Sequence, residues 1–181
     1  LGKKTLLIIG LGNTGRALAK RAKAFGMRVL GTRARPTDMD NVDVVYSADK
    51  LHQLLPEADF VAVCTPLTSF TKGLLGKDEF GLVKPGSVLA DVSRGGVVDQ
   101  TALTFALSSG KISAAVLDVF EVEPLPAESS FWDLENVLIS PHCSSVFEGW
   151  EDASFDLFLD NLDCWIRREP LRNVVDPKRG Y

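Results

Sequence analysis

A glycine loop at residues 10–15, GLGNTG, directly follows an apolar run at residues 5–9 and opens a stretch with helical periodicity. Between a strand and a helix, such a loop presents backbone N–H groups and the positive end of the helix to a phosphate. In this arrangement Gly10 permits the tight turn, Gly12 lets the backbone approach a pyrophosphate, and Gly15 lets the helix pack closely on the strand. The motif predicts dinucleotide binding, the alternative being an incidental glycine turn.

Short runs rich in Val, Ile and Leu alternate with helical stretches over most of the chain. This alternation is typical of a parallel sheet covered by helices on both faces, so it predicts a Rossmann-like, doubly wound α/β domain. The predicted strands are residues 5–9, 27–31, 42–46, 60–64, 87–91, 114–119 and 136–139. The predicted helices are residues 16–25, 48–55 and 100–107, and residues 119–132, which include two prolines, are predicted to form a surface loop.

The C-terminal part has a different pattern. Apolar side chains recur at helical spacing from residue 146 to residue 167, namely Trp150, Phe155, Phe158, Leu162 and Trp165. This spacing predicts one long amphipathic helix. We therefore divide the chain into a dinucleotide-binding domain, residues 1–145, and a C-terminal helix and tail, residues 146–181.

Composition excludes several classes of function. The formal net charge is -4, and no cluster of basic residues is interleaved with aromatic ones, so neither nucleic acid nor an anionic membrane is an expected partner. The three cysteines lie far apart and only two histidines occur, which favours a reducing compartment and no metal site. Without a long apolar segment or a leader, we expect a cytoplasmic protein.

The end of the second predicted strand bears on the choice of dinucleotide. Thr32 is followed there by Arg33 and Arg35, at the position where an NAD-binding domain usually presents an acid to the ribose 2'-hydroxyl. Two guanidinium groups would instead hold a 2'-phosphate through charge-assisted hydrogen bonds. The residues therefore predict a preference for NADP(H), with NAD(H) still possible. The alternative is that both arginines are solvated and that Asp38 or Asp40 supplies the acid.

Three candidate catalytic residues follow successive predicted strands: Arg94, Glu123 and His142. An arginine followed by two glycines has space around its planar fork to grip a substrate carboxylate, although it could also bond nearby surface acids. A single histidine is more often structural than catalytic. A carboxylate at the same edge of the sheet would orient the imidazole and favour its protonated form.

The segments GLGNTG, CTPLT, VKPGSVLADVSRGGVVD, LDVFEVEPLP and NVLISPH resemble the D-isomer-specific 2-hydroxyacid dehydrogenase family, from about Gly2 to the C-terminus. The arginines after the second strand are most similar to those of NADPH-dependent glyoxylate and hydroxypyruvate reductases. The resemblance implies that Arg94 binds substrate, Glu123 orients the histidine, and His142 is the acid/base in hydride transfer between NADP(H) and a small 2-oxo acid or D-2-hydroxy acid. It also implies the cofactor-binding set Gly10, Gly12, Asn13, Thr14, Gly15, Thr32, Arg33, Arg35, Thr65, Pro66, Val92, Ser93, Asp118 and Ser144.

The resemblance further implies a two-lobed subunit and a homodimer formed by the cofactor domains. We expect the N-terminal substrate-binding lobe to be absent from this chain and the C-terminal helix and tail to return to it. After His142 the family commonly has small residues with glycine, whereas here Cys143, Ser144 and Ser145 follow. Two alternatives stay open: a dinucleotide-sensing corepressor that scarcely turns over, and a related dehydrogenase acting on formate, phosphite or 3-phosphoglycerate.

Overall fold

The computed structural model describes residues 1–177, which separate into two compact units, Leu1–Pro141 and a second that begins at His142. The first unit contains a seven-stranded sheet, in which all neighbouring strands are parallel and the order is β3-β2-β1-β4-β5-β6-β7. The strands are β1 Thr5–Ile9, β2 Arg28–Arg33, β3 Val44–Ser47, β4 Phe60–Val63, β5 Ser87–Asp91, β6 Ile112–Leu117 and β7 Val137–Ile139. The helices of this unit are α1 Asn13–Ala24, α2 Leu51–Leu54, α3 Lys77–Leu82 and α4 Gln100–Ser108.

The sheet is covered by helices on both faces, so the predicted doubly wound α/β fold is confirmed. On one face, Ala19 and Ala22 of α1 pack in a cluster with Ile8 and Val29 of the central strands. On the other face, a larger cluster includes residues of α2, α3 and α4. Because the strands are parallel, their carboxyl ends all meet at one edge, where open α/β sheets bind ligands.

Several element boundaries differ from the prediction. The segment predicted as one helix at residues 48–55 consists of a 3-10 turn, the short helix α2 and a second 3-10 turn, Leu55–Glu57. Pro56 lies in the first positions of that last turn, where its missing N–H costs no hydrogen bond, so the helical segment continues to Glu57, past its predicted end at residue 55. Helix α3 was not predicted, and a 3-10 turn, Ser130–Asp133, interrupts the predicted surface loop.

The second unit contains one long helix, α5, Trp150–Arg167. It begins later than predicted because Gly149, with a φ of 83°, stands in the left-handed region immediately before it. Most of its apolar side chains are exposed, including Phe158 at 58% and Trp165 at 72%. No helix within residues 1–177 has the length and hydropathy needed to cross a membrane.

Candidate active site

The glycine loop has the geometry that its three glycines predict. Gly10 has a φ of +100°, and a Cβ there would lie 2.8 Å from the backbone nitrogen of Thr65. A Cβ on Gly15 would come closer to the Gly10 carbonyl oxygen than real Cβ atoms approach backbone, so α1 packs against the strand only because Gly15 has no side chain. A Cβ on Gly12, in contrast, would meet no atom within 4 Å. The loop is therefore tightly packed at both ends and open in the middle.

The end of β2 holds the glycine loop in place. The backbone N–H groups of Gly10 and Leu11 both donate to the carbonyl oxygen of Thr32, at 3.1 Å and 3.2 Å. Thr32 itself is buried, and it supports the loop through its backbone. Helix α1 then begins at Asn13 with no acidic residue in its first turn, so its N-terminal N–H groups face no carboxylate from their own turn.

Arg33 and Arg35 follow at the carboxyl end of β2. The Arg33 guanidinium donates through Nη1 to Thr37 Oγ1, 3.1 Å away, and Arg35 is exposed. Within the described part of the chain, neither guanidinium forms an ion pair with a carboxylate. Asp38 and Asp40, the alternative acids, are both exposed beyond the strand.

The arginine loop, residues 92–96, follows β5 and is fixed by a buried carboxyl group. Asp91 Oδ1 accepts hydrogen bonds from Ser93 N at 2.9 Å and from Ser93 Oγ at 2.5 Å. The Arg94 guanidinium donates through Nη1 to the carbonyl oxygen of Ser93 at 2.6 Å. Val92 N donates to Val63 O at 3.2 Å, which ties the start of the loop to the end of β4. Arg94 itself is exposed.

The glycines after Arg94 have a different role from the predicted one of leaving space around the guanidinium. A Cβ on Gly95 would overlap the carbonyl group of Phe120, so glycine is required for a close backbone approach. Gly96 has a φ of +88° and turns the chain. The glycines thus bring the arginine loop against the segment that follows β6.

Glu123 lies in that following segment, which we call the glutamate loop, residues 118–124. Its Oε1 accepts a hydrogen bond from Phe120 N at 2.8 Å. Phe120 is buried and touches the arginine loop through Gly95. The two loops that bear Arg94 and Glu123 therefore meet at Phe120, which is not among the predicted site residues.

Two buried carboxyl groups stand at the carboxyl ends of adjacent strands. Asp91 is 3% exposed and Asp118 is 2% exposed, and Asp118 accepts a hydrogen bond from Ser140 Oγ at 2.6 Å. Burial raises the pKa of Asp91 to about 6, and the charge of Asp118 raises it as well, against the lowering effect of the Ser93 hydrogen bonds. Asp91 was not among the predicted site residues; an acid ending the apolar run SVLAD was the signal that could have identified it.

Thr65 and Pro66 follow β4 at the same edge of the sheet and are half-buried. The Pro66 carbonyl oxygen accepts a hydrogen bond from Thr71 Oγ1 at 2.6 Å, which fixes the turn after the strand. Cys64 lies beside them, and burial, with a contribution from the charge of Asp91, raises the pKa of its thiol to about 11. The Cys64 thiol is therefore protonated at neutral pH.

His142 is the first residue of the second unit and is exposed, with a φ of 52° in the left-handed region. Cys143 and Ser144 follow it and are also exposed. None of the three cysteines, all of which lie in the described residues, forms a disulfide. Within residues 1–177, no three His, Cys, Asp or Glu side chains come together as candidate metal ligands.

Comparison with known proteins places this arrangement among dehydrogenases. Residues 1–144 match the family model described as "D-isomer specific 2-hydroxyacid dehydrogenase, NAD binding domain". The chain is 37% identical over 174 residues to a D-3-phosphoglycerate dehydrogenase of Methanocaldococcus jannaschii, covering 96% of this chain and 33% of that protein. It is 38% identical over 173 residues to a glyoxylate reductase of Korarchaeum cryptofilum, covering 96% of this chain and 52% of that protein.

A solved structure gives the same result at the level of the fold. The NADPH-dependent glyoxylate/hydroxypyruvate reductase of Sinorhizobium meliloti, in complex with NADP and sulfate, superimposes with a TM-score of 0.92 and 31% identity. The match covers 98% of this chain and 57% of that chain. The chain thus spans a third to about half the length of the relatives compared by sequence.

Proposed function

The chain belongs to the D-isomer specific 2-hydroxyacid dehydrogenase family, whose NAD-binding domain matches residues 1–144, and we propose that it serves an NADP(H)-dependent reductase of small 2-oxo acids. Glyoxylate and hydroxypyruvate are the substrates we favour; glyoxylate would give glycolate, which has no stereocentre, and hydroxypyruvate would give the D-2-hydroxy acid. The observation that carries the proposal is the meeting of the arginine and glutamate loops at Phe120, on the sheet edge that also bears the glycine loop.

The residues of the glycine loop fit a dinucleotide. The space in front of Gly12 admits a pyrophosphate to the N-terminus of α1, and Asn13, Thr14 and Gly15 supply the first backbone N–H groups of that helix. No carboxylate of the described chain neutralises Arg33 or Arg35, so both are available to hold a 2'-phosphate. This arrangement supports NADP(H) over NAD(H), in agreement with the NADP bound in the Sinorhizobium meliloti relative.

Other residues of the same edge complete the proposed cofactor site. The buried carboxyl group of Asp118 is suited to accept a hydrogen bond from the carboxamide of a nicotinamide. The remaining predicted contacts lie at the ends of β2, β4 and β5 or follow the histidine: Thr32, Thr65, Pro66, Val92, Ser93 and Ser144. When bound, the nicotinamide supplies the hydride that the reduction of a carbonyl group requires.

The catalytic roles follow from the chemistry of three side chains. Arg94 binds the carboxylate of the 2-oxo acid and stabilises the negative charge that grows on the carbonyl oxygen. His142 donates the proton to that oxygen, and Glu123 favours the protonated form of the imidazole. The single Nη1 hydrogen bond of Arg94 to the carbonyl of Ser93 leaves the outer part of its fork for a carboxylate.

The relatives also support a second candidate substrate. One of them is a D-3-phosphoglycerate dehydrogenase, so a phosphorylated hydroxy acid is the main alternative to glyoxylate. A phosphate would require additional cations in the part of the subunit that closes over the site. We assign that part to a separate substrate-binding lobe outside residues 1–181, and we propose a homodimer that works in the cytoplasm.

A screen of 2-oxo acids tests the proposal. We expect the protein, together with its substrate-binding lobe, to oxidise NADPH with glyoxylate or hydroxypyruvate faster than with 3-phosphohydroxypyruvate, and to form the D-isomer from hydroxypyruvate. His142→Gln should abolish turnover while NADPH binding persists, and Arg94→Ala should chiefly raise the KM for the oxo acid. Arg28→Ala is the matched control, because Arg28 is paired with Glu57 at the start of β2, away from the carboxyl edge. Loss of NADPH binding in His142→Gln would argue for a structural histidine.

A further inference from the structure

Asp91 has a buried carboxyl group that none of the proposed catalytic roles uses. It is 3% exposed at the end of β5, and its backbone oxygen accepts the N–H of Asp118, the other buried acid, at 3.0 Å. Placing two carboxyl groups together out of water opposes ionisation and lowers the stability of the fold. Side chains that are kept at such a cost are concentrated at functional sites.

The contacts of Asp91 lead directly to the arginine loop. Its Oδ1 accepts both the N–H and the hydroxyl of Ser93, which is itself 3% exposed. The carbonyl oxygen of Ser93 in turn accepts the hydrogen bond from Arg94 Nη1 at 2.6 Å. One carboxyl oxygen therefore fixes the residue whose backbone orients the guanidinium group.

We propose that Asp91 is a positioning residue, which acts through Ser93 to hold residues 92–94 in the conformation that presents Arg94 to the substrate carboxylate. The proposal rests on the function proposed above and adds a residue to it. Asp91 touches neither substrate nor the reacting atoms, so its removal should weaken substrate binding more than it slows hydride transfer.

The strength of the two hydrogen bonds from Ser93 depends on the charge of Asp91. An ionised carboxyl group is a stronger acceptor than a neutral one, so the two bonds from Ser93 weaken when Asp91 takes up a proton. The groups that face Asp91 are Ser93 in the loop itself, Asp118 after β6 and Cys64 after β4. Cys64 stays neutral because the pKa of its thiol is about 11, and the pKa of Asp91 is about 6. The KM for the oxo acid should therefore rise as the pH falls through about 6.

A spectroscopic test needs no turnover. In the NMR spectrum of the protein, the amide proton of Ser93 should shift with pH, with a midpoint near the pKa of Asp91, about 6. Asp91→Asn should abolish this titration while keeping an oxygen that accepts the hydrogen bond. A Ser93 amide that does not respond to pH in the unmodified protein, or that titrates equally in Asp91→Asn, would overturn the proposal.

The kinetic test separates positioning from a general loss of structure. We expect Asp91→Ala to raise the KM for glyoxylate on the order of tenfold, the factor that corresponds to one net hydrogen bond, and to change kcat and the KM for NADPH by smaller factors. Asp91→Asn should recover most of this loss and remove the pH dependence near 6. Ser93→Ala, which removes one of the two donors, provides a milder variant should Asp91→Ala fail to fold.

Asp59→Asn is the matched control, because Asp59 also accepts a backbone N–H, from Thr5, but at the start of β1. It should lower stability without changing the KM for glyoxylate or the Ser93 signal. The positioning role would be contradicted if Asp91→Ala and Asp91→Asn lowered kcat and raised the KM values for glyoxylate and NADPH by the same factors. If the unmodified protein reduces no 2-oxo acid, the proposed function fails, and the Ser93 titration still decides whether Asp91 holds the loop.

Discussion

Substituting two glycines of the same loop should have opposite effects on folding and on cofactor binding. A Cβ on Gly15 would overlap the Gly10 carbonyl oxygen and press on Ile8, so Gly15→Ala must move α1 away from the sheet. Overpacking of this kind costs about 1–3 kcal/mol, which is a loss of several degrees in Tm for a chain of this size. A Cβ on Gly12 meets nothing within 4 Å, so Gly12→Ala should change the free energy of unfolding by less than about 1 kcal/mol.

The affinity for NADPH should be affected most directly by Gly12→Ala, the variant that changes stability least. In Gly12→Ala the new methyl group occupies the open space where the pyrophosphate approaches the backbone. Loss of one hydrogen bond to a charged phosphate, about 1.5–3 kcal/mol, raises the Kd about tenfold to a hundredfold. Thermal unfolding and titration calorimetry measure the two quantities, and Gly81→Ala in α3, also without a neighbour within 4 Å, is the control. A Gly12→Ala variant that binds NADPH normally would refute the assignment of the loop.

The remaining predictions concern ionisation and reactivity. The pKa of Asp91 is about 6 in the folded protein against 3.8 ordinarily, so the folded state binds this proton more tightly than the unfolded state. The free energy of unfolding should therefore fall by about 3 kcal/mol as the pH rises from about 4 to about 6. Urea unfolding should show a much smaller fall in Asp91→Asn. Lys84 and Thr5 hold the pKa of Asp59 at about 2, so the stability that it contributes should disappear as the pH falls from about 4 to about 2, and Asp59→Asn should lack this acid transition. A thiol reagent at about pH 8 should modify exposed Cys143 well before Cys64, whose thiol is half-buried with a pKa of about 11, and mass spectrometry would report equal rates if this is wrong.

The sequence predicted the sheet well because buried parallel strands leave a strong signal. The runs at β1 and β5 were predicted with the bounds that the structure has, since each is apolar and ends at a clear change of composition. The short helix α3 left no such signal, because six residues with one buried side chain show no periodicity. The helical segment predicted to end at residue 55 continues to Glu57 for a different reason: Pro56 is accommodated at the start of a 3-10 turn.

The candidate site was predictable only in part. Glycines at fixed spacing reveal their function because each meets a separate steric demand, and the structure shows those demands at Gly10 and Gly15. The role of Gly95 depends on a contact with Phe120, which lies in another loop, and no local pattern reports such a contact. Asp91 was missed because burial gives its carboxyl group its properties, and burial is a product of the fold.

The most direct test of the account is the binding of the two reduced dinucleotides to this protein, measured by calorimetry. Two charge-assisted hydrogen bonds from Arg33 and Arg35 to the 2'-phosphate correspond to a preference on the order of a hundredfold or more for NADPH over NADH. Removing both guanidinium groups by substitution with alanine should erase that preference while NADH binding stays the same. Absence of NADPH binding, or tighter binding of NADH, would contradict the account.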